Sequence, residues 1–382
     1  AAPTSGQRGL VTAYWCKGWI IENNEISYSR CCGIALGKYS DEWDDRRGTT
    51  EGYFGTIDDA LKKAGWTKEK IGGHIVRNNH IHHCEQTGIV GSMGCAFSSV
   101  ENNEIHDIHN QGIWSGAEMA GIKFHGAIDV IISGNHIYRC GEVGGLWLDW
   151  MAQGTHVLGN LLHNNKGHDV FMEVNHGPFL IANNIMLSHV AHLANSQGGA
   201  YAHNLLAGGI RIVADGRTTP YHTAHSTEMV ALHNCPIGDI RWYNNLLATR
   251  CNLGAYNGAT WPVTSVGNVY TKGAQPSKFD TEAMVKPDFD AGVRLIRKDE
   301  GWYLDLTLDK AWATGQSRKL VSTELLGKAK IPDLPFENAD GSSIRVNTDY
   351  FGRQRNADNP FPGPFEIKDG GPQSIKVWPR ER

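Results

Sequence analysis

VENNEI, residues 100–105, is one instance of a phrase that recurs along the chain. One asparagine, or a pair, is followed within two residues by an aliphatic side chain. The other instances are IENNEI (21–26), VRNNHI (76–81), SGNHI (133–137), LGNLL (158–162), ANNIM (182–186), HNLL (203–206), YNNLL (243–247) and GNVY (267–270). The last asparagine of each is a marker: Asn24, Asn79, Asn103, Asn135, Asn160, Asn184, Asn204, Asn245 and Asn268. Uninterrupted steps between markers are 24, 25, 24, 20 and 23 residues, and steps of 55, 32 and 41 hold one coil plus an insertion.

A period of about 24 with short β-branched runs and turn residues reads as a solenoid of stacked strands. The expected fold is all-β, a right-handed parallel β-helix with coils about 4.8 Å apart. Asparagines at one turn of every coil can form an amide ladder, and the residue two after each marker then points into the core. Helical periodicity is confined to TIDDALKKAG (56–65), with Thr56 as N-cap and Gly65 closing the C-terminus. The β-helix is expected over 1–280, with insertions at about 37–72 and 211–238. Orderly coils run from about 9 to 275. A β-rich extension, 281–382, is expected to pack on the helix. It contains GWYLDLTLD (301–309), which alternates like an exposed strand, and an irregular Pro- and Gly-rich tail, DYFGRQRNADNPFPGPFE (349–366).

At 382 residues the chain exceeds one ordinary compact domain, but a repeat architecture absorbs such a length. The 45 glycines and 26 asparagines call for many tight turns. A net charge of −4 provides no basic field, which disfavours nucleic acid as a partner. No run of 18 apolar residues is present, so no apolar membrane span is expected. None of the 8 cysteines forms a CxxC pair. Cys84 and Cys140 both fall five residues after a marker and read as free core thiols. The composition is compatible with a periplasmic, secreted or cytoplasmic protein.

In a solenoid, equal offset from the marker means one lateral position. Glu118 lies 15 after Asn103, Asp149 lies 14 after Asn135, and Glu173 lies 13 after Asn160. Three acids on three successive coils repel one another, which argues against a purely structural purpose. Carboxylates one coil apart are about 5 Å apart. That matches the about 5–5.5 Å of retaining glycosidases rather than the about 6.5–9.5 Å of inverting ones. Such proximity also raises one pKa, leaving one acid and one anion. Trp114 and Trp147 supply indole faces for sugar C–H surfaces. Lys123, His125, Asn175 and His176 add donors for hydroxyls.

The insertions leave from Gly37 and near Arg217, each 13 after its marker, and so project from the acidic edge. The first carries DEWDDRR (41–47), Tyr53 and Trp66, and the second RTTPYHTAHSTE (217–228). Walls of this kind suit a small substrate or a chain end. The 18 histidines, as in HIHHC (80–84), read as polar turn residues. No His pair joins a carboxylate in a recognised zinc spacing, so neither a catalytic metal nor a cofactor is expected.

Residues 74–187 resemble glycoside hydrolase family 120, the β-helical β-xylosidases. The phrases that carry the resemblance are EIHDIHNQGIWSGAEMAGIKFHG (104–126), GGLWLDWMAQGTHVLGN (144–160) and HDVFMEVNHGPFLIANNIML (168–187). The resemblance implies Asp149 as nucleophile, Glu173 as acid/base and Glu118 as an auxiliary carboxylate. It also implies exo-acting, retaining release of xylose from xylo-oligosaccharides. Family members are longer, with a β-sandwich interrupting the early helix, and none is evident before residue 74. The expectation is therefore a C-terminal portion, with N-terminal sequence missing or on another chain. The alternatives are a polysaccharide lyase or pectinase-like enzyme, with Lys123 as its candidate base, and a non-catalytic carbohydrate-binding β-helix.

Overall fold

The residue before each marker asparagine turns the chain. The structure is a computed structural model describing residues 7–37, 54–55, 57–58, 60–62, 65–116, 118–367 and 369–380. Asn23, Asn78, Asn102, Asn183, His203 and Asn244 have φ between 53 and 59°, and Gly134, Gly159 and Gly267 have 64, 59 and 73°. Asparagine and glycine tolerate this left-handed conformation best, which explains the Asn-Asn and Gly-Asn pairs.

The turn aims each marker along the helix axis. Every marker from Asn24 to Asn245 donates from Nδ2 to Oδ1 of the next at 2.9–3.0 Å, ending on Asn268. The same Oδ1 also accepts the backbone N–H of the preceding marker, as in Asn135 to Asn160 at 2.9 Å. The residues two after the markers, from Ile26 and Ile81 to Leu247 and Tyr270, share one buried core. Cys84 and Cys140 lie in that core as free thiols.

Three parallel sheets of eight, nine and ten strands form the faces of the solenoid. The eight-stranded sheet runs from Gly9–Ala13 through Ala120–His125, Gly144–Asp149 and His168–Glu173 to Gly209–Ile212. The ten-stranded sheet ends at Met284–Val285. The chain beyond then covers two of the three faces. Leu304, Leu306, Trp312, Phe361 and Val377 pack on Leu161, Ile185, Leu205 and Val269 of the ten-stranded sheet. Val321, Phe336 and Ile344 pack on Leu180, Ala182 and Ala200 of the nine-stranded sheet. The strand Gly301–Leu308 is the centre of a three-stranded antiparallel sheet, and Leu304, Leu306 and Leu308 are buried rather than exposed. The outer face of the eight-stranded sheet carries both apolar and ionisable side chains, among them Val90, Lys123, Trp147 and Phe171.

Two further expectations meet the structure differently. The Gly65 N–H donates to Leu61 O at 3.0 Å with φ 60°, closing a helix as read; Thr56 lies outside the described residues. HIHHC does not form a turn throughout. His80 and His82 lie in a strand, as do His106, His136 and His163. His82, His106, Tyr138 and His163 are register partners, and their rings stack at 5.2, 4.8 and 5.0 Å along the outer face. His83, with φ 53°, does occupy the turn.

Candidate active site

Strand alternation sets the site. In Ala120–His125, Ile122 and Phe124 enter the core, so Lys123 and His125 face outward. Parallel register carries the pattern across coils: Lys123 pairs with Trp147 and then Phe171, and His125 pairs with Asp149 and then Glu173. Asp149 and Glu173 thus occupy one lateral position, as their offsets indicate. Glu118 does not. It precedes its strand with φ 71°, and the residue in register with Asp149 is His125. The coil from Asn103 to Asn135 has 32 residues, so its offsets drift by the length of the extra loop. Glu118 still reaches the cluster, its Oε2 lying 2.7 Å from Lys123 Nζ.

Lys123 is fully buried among these groups. Its Nζ donates to Asp149 Oδ2 at 2.9 Å, lies 2.7 Å from His125 Nε2 and sits 4.0 Å from the Trp147 ring centre. His125 Nε2 is also 2.8 Å from Asp149 Oδ2. With one proton state it either accepts from Lys123 or donates to Asp149. Asp149 Oδ1 accepts the Trp150 N–H at 2.9 Å. Burial would raise the Asp149 pKa, but the charges of Lys123 and His125 outweigh it and hold the group well below the carboxylate range. Burial opposes the charge of Lys123, but Asp149 and Glu118 keep its pKa above the ordinary lysine value.

Glu173 is placed in the opposite condition. Burial, and then the Asp149 charge, raise it to about 7, against the pull of Arg217 and Lys123. Trp147 Nε1 donates to Glu173 Oε2 at 2.7 Å, and Arg217 Nη2 bonds Glu173 Oε1. Arg217 comes from the antiparallel hairpin formed by Asp215–His222 and Met229–Cys235. Asp215 braces its guanidinium at 2.8 and 3.0 Å. Sequence offsets place the root of this hairpin but carry no sign that Arg217 folds back onto Glu173.

The insertions meet beside the site. Trp66 Nε1 donates to Met93 O at 2.9 Å, Thr227 Oγ1 donates to Trp66 O at 2.7 Å, and the His222 ring stands edge-on to Trp66 at 5.7 Å. DEWDDRR (41–47) and Tyr53 lie outside the described residues. Trp114 is buried on the loop before Ala120. Glu85 holds that loop through the N–H groups of Gln111 and Ile113 at 3.2 and 3.1 Å. The Trp114 indole N–H has no partner among the described residues.

Two expected sugar contacts are scaffold instead. Asn175 Oδ1 accepts from Ala152 N at 2.7 Å, and its Nδ2 donates to Leu148 O at 2.9 Å and to Ser196 Oγ at 3.3 Å. It holds the end of the Asp149 strand. His176 Nδ1 meets Gln197 at 2.7 Å and Nε2 meets Thr219 O at 2.9 Å, so the ring anchors the hairpin. Both side chains are buried and hydrogen-bonded within the protein. Among the described residues, the group able to hold a metal ion is Glu25, His80 and His82, on the ten-stranded sheet and away from this site. No helix there is long and apolar enough to cross a membrane.

The coil architecture and its family signature agree. Residues 9–219 match the right-handed β-helix region family, and the chain belongs to it. No curated protein sequence matches the chain. Its structure is similar to that of XylC in complex with xylose, with a TM-score of 0.89 and 36% sequence identity. XylC is a family 120 β-xylosidase, the family that residues 74–187 resemble. The likeness covers 99% of this chain and 64% of the XylC chain.

Proposed function

We propose that the protein is a glycoside hydrolase acting as a retaining, exo-acting β-xylosidase on xylo-oligosaccharides. The observation that carries this reading is the in-register pair Asp149 and Glu173, one held as an anion and the other raised to about 7. Adjacent parallel strands are about 4.8 Å apart, a spacing suited to double displacement. The likeness to XylC with xylose supports the sugar.

Asp149 attacks the anomeric carbon as the glycosidic C–O bond breaks, and Glu173 gives its proton to the departing oxygen. Glu173, now a carboxylate, takes a proton from water. The water oxygen then displaces Asp149, releasing xylose with its original configuration. Lys123 and His125 keep Asp149 ionised, and Glu118 fixes Lys123. Trp147 orients Glu173 through its indole N–H. The lyase alternative needs Lys123 as a neutral base, which its two carboxylate partners oppose.

The test is proton NMR of the first product formed from an aryl β-xyloside. β-Xylose appearing before mutarotation is expected. α-Xylose as first product, or no hydrolysis, overturns the reading.

A further inference from the structure

The histidine face of the ten-stranded sheet has no part in this chemistry. Three of its side chains converge at the first coils. One ligand atom each of Glu25, His80 and His82 lies within 4.8 Å of the others. Strand geometry brings them together: Glu25 is the register partner of His80, and His80 and His82 project from the same face two residues apart. His82 Nε2 lies 3.3 Å from Glu25 Oε1. On the next coil, His106 Nε2 lies 2.7 Å from His80 Nε2.

The surroundings prepare these nitrogens as ligands. His106 Nδ1 is bonded to Asp107 Oδ2 at 2.6 Å, which favours the Nδ1–H tautomer and turns the Nε2 lone pair toward His80. A carboxylate on the far nitrogen is the usual support of a metal-bound imidazole. His82 Nδ1 is engaged by His83 at 2.7 Å, so its Nε2 is the nitrogen that faces Glu25. The Glu25 side chain is 70% exposed while that of His82 is 10% exposed, so the cluster has a floor and an open approach.

We propose that Glu25, His80 and His82, with His106 as the fourth group, bind a divalent transition metal of the zinc class. Imidazole and carboxylate suit such ions. Ligand atoms around tetrahedral zinc are about 3.3 Å apart, so small rotations bring Glu25, His80 and His82 onto one ion, and His106, beside His80 on the next coil, completes the set. The ligands come from three successive coils, and the ion staples those coils together at the edge of the sheet. It takes no part in the sugar chemistry.

The test is calorimetric titration of Zn2+ into tag-free, chelator-washed protein, with Co2+ absorption as a second readout. One ion per chain is expected, together with the visible bands of low-symmetry Co2+. Glu25→Gln alters an exposed side chain and leaves the core untouched, and His82→Ala removes a buried ligand. Each is expected to weaken Zn2+ binding at least about 10-fold, with circular dichroism showing an intact fold for Glu25→Gln. His163→Ala, on the same face but two coils away, is expected to bind as wild type. Absence of a saturable site in wild type, wild-type affinity in Glu25→Gln, or an equal loss in His163→Ala overturns the proposal.

Discussion

Asp149 and Glu173 are register partners on adjacent coils, yet their carboxyl groups meet opposite surroundings. Asp149 faces back along the helix to Lys123 and His125. Glu173 is held from the Asp149 strand by the indole of Trp147 and from the other side by a guanidinium delivered by a hairpin. One step along a parallel sheet thus separates a permanent anion from an acid that titrates near neutrality.

Asp149→Asn removes the oxygen proposed to attack while preserving shape, and Lys123 keeps its Glu118 partner. Release of nitrophenol from an aryl β-xyloside should fall at least about 1000-fold, with an unchanged far-ultraviolet spectrum. Turnover near wild type would remove Asp149 from the mechanism.

The pH profile of kcat/KM should fall on the alkaline side near pH 7, where Glu173 loses the proton that the proposed mechanism has it donate. Its acid limb should lie below the ordinary aspartate value of about 3.9, because Asp149 stays ionised. Stability follows the same sign. The raised Glu173 pKa favours the folded state below about pH 4.3, its unfolded value, and this contribution is lost as pH rises to about 7. Denaturation of Glu173→Gln across this window should show a smaller decline than wild type.

Arg217→Gln should move the alkaline limb upward. Burial and Asp149 raise Glu173, and Arg217 opposes them, so its removal leaves the proton held more tightly. An unmoved limb would mean that Arg217 only seats the hairpin.

Asn160→Ala should cost about 2–4 kcal/mol. It leaves the backbone N–H and amide of Asn135 without their acceptor and Ile132 O without its donor. Urea midpoints would measure this, and a loss below about 0.5 kcal/mol would show that the ladder is dispensable there.

Much of this molecule is legible because a solenoid converts sequence distance into position. The markers, the αL residues before them, the core positions after them and the pairing of Asp149 with Glu173 all follow from counting. Counting fails where a coil changes length. The long loop before Ala120 moved Glu118 out of register and put His125, expected as a donor for sugar hydroxyls, directly beside Asp149. Chemistry also misleads where a polar side chain has a scaffold partner. Asn175 and His176 have the composition of sugar ligands, but strand ends and a hairpin already occupy their hydrogen bonds.

The sequence by itself determined the coil, because every turn repeats the same local requirements: a left-handed residue, an amide that stacks and an apolar side chain two positions on. Tertiary structure alone decided which carboxylate keeps its charge. That depends on groups far apart in the chain, Lys123 before one acid and Arg217 beyond the other, and electrostatic energy follows distance in space rather than along the chain. The same reason kept the Glu25, His80, His82 and His106 cluster out of sight, since its ligands belong to three different coils.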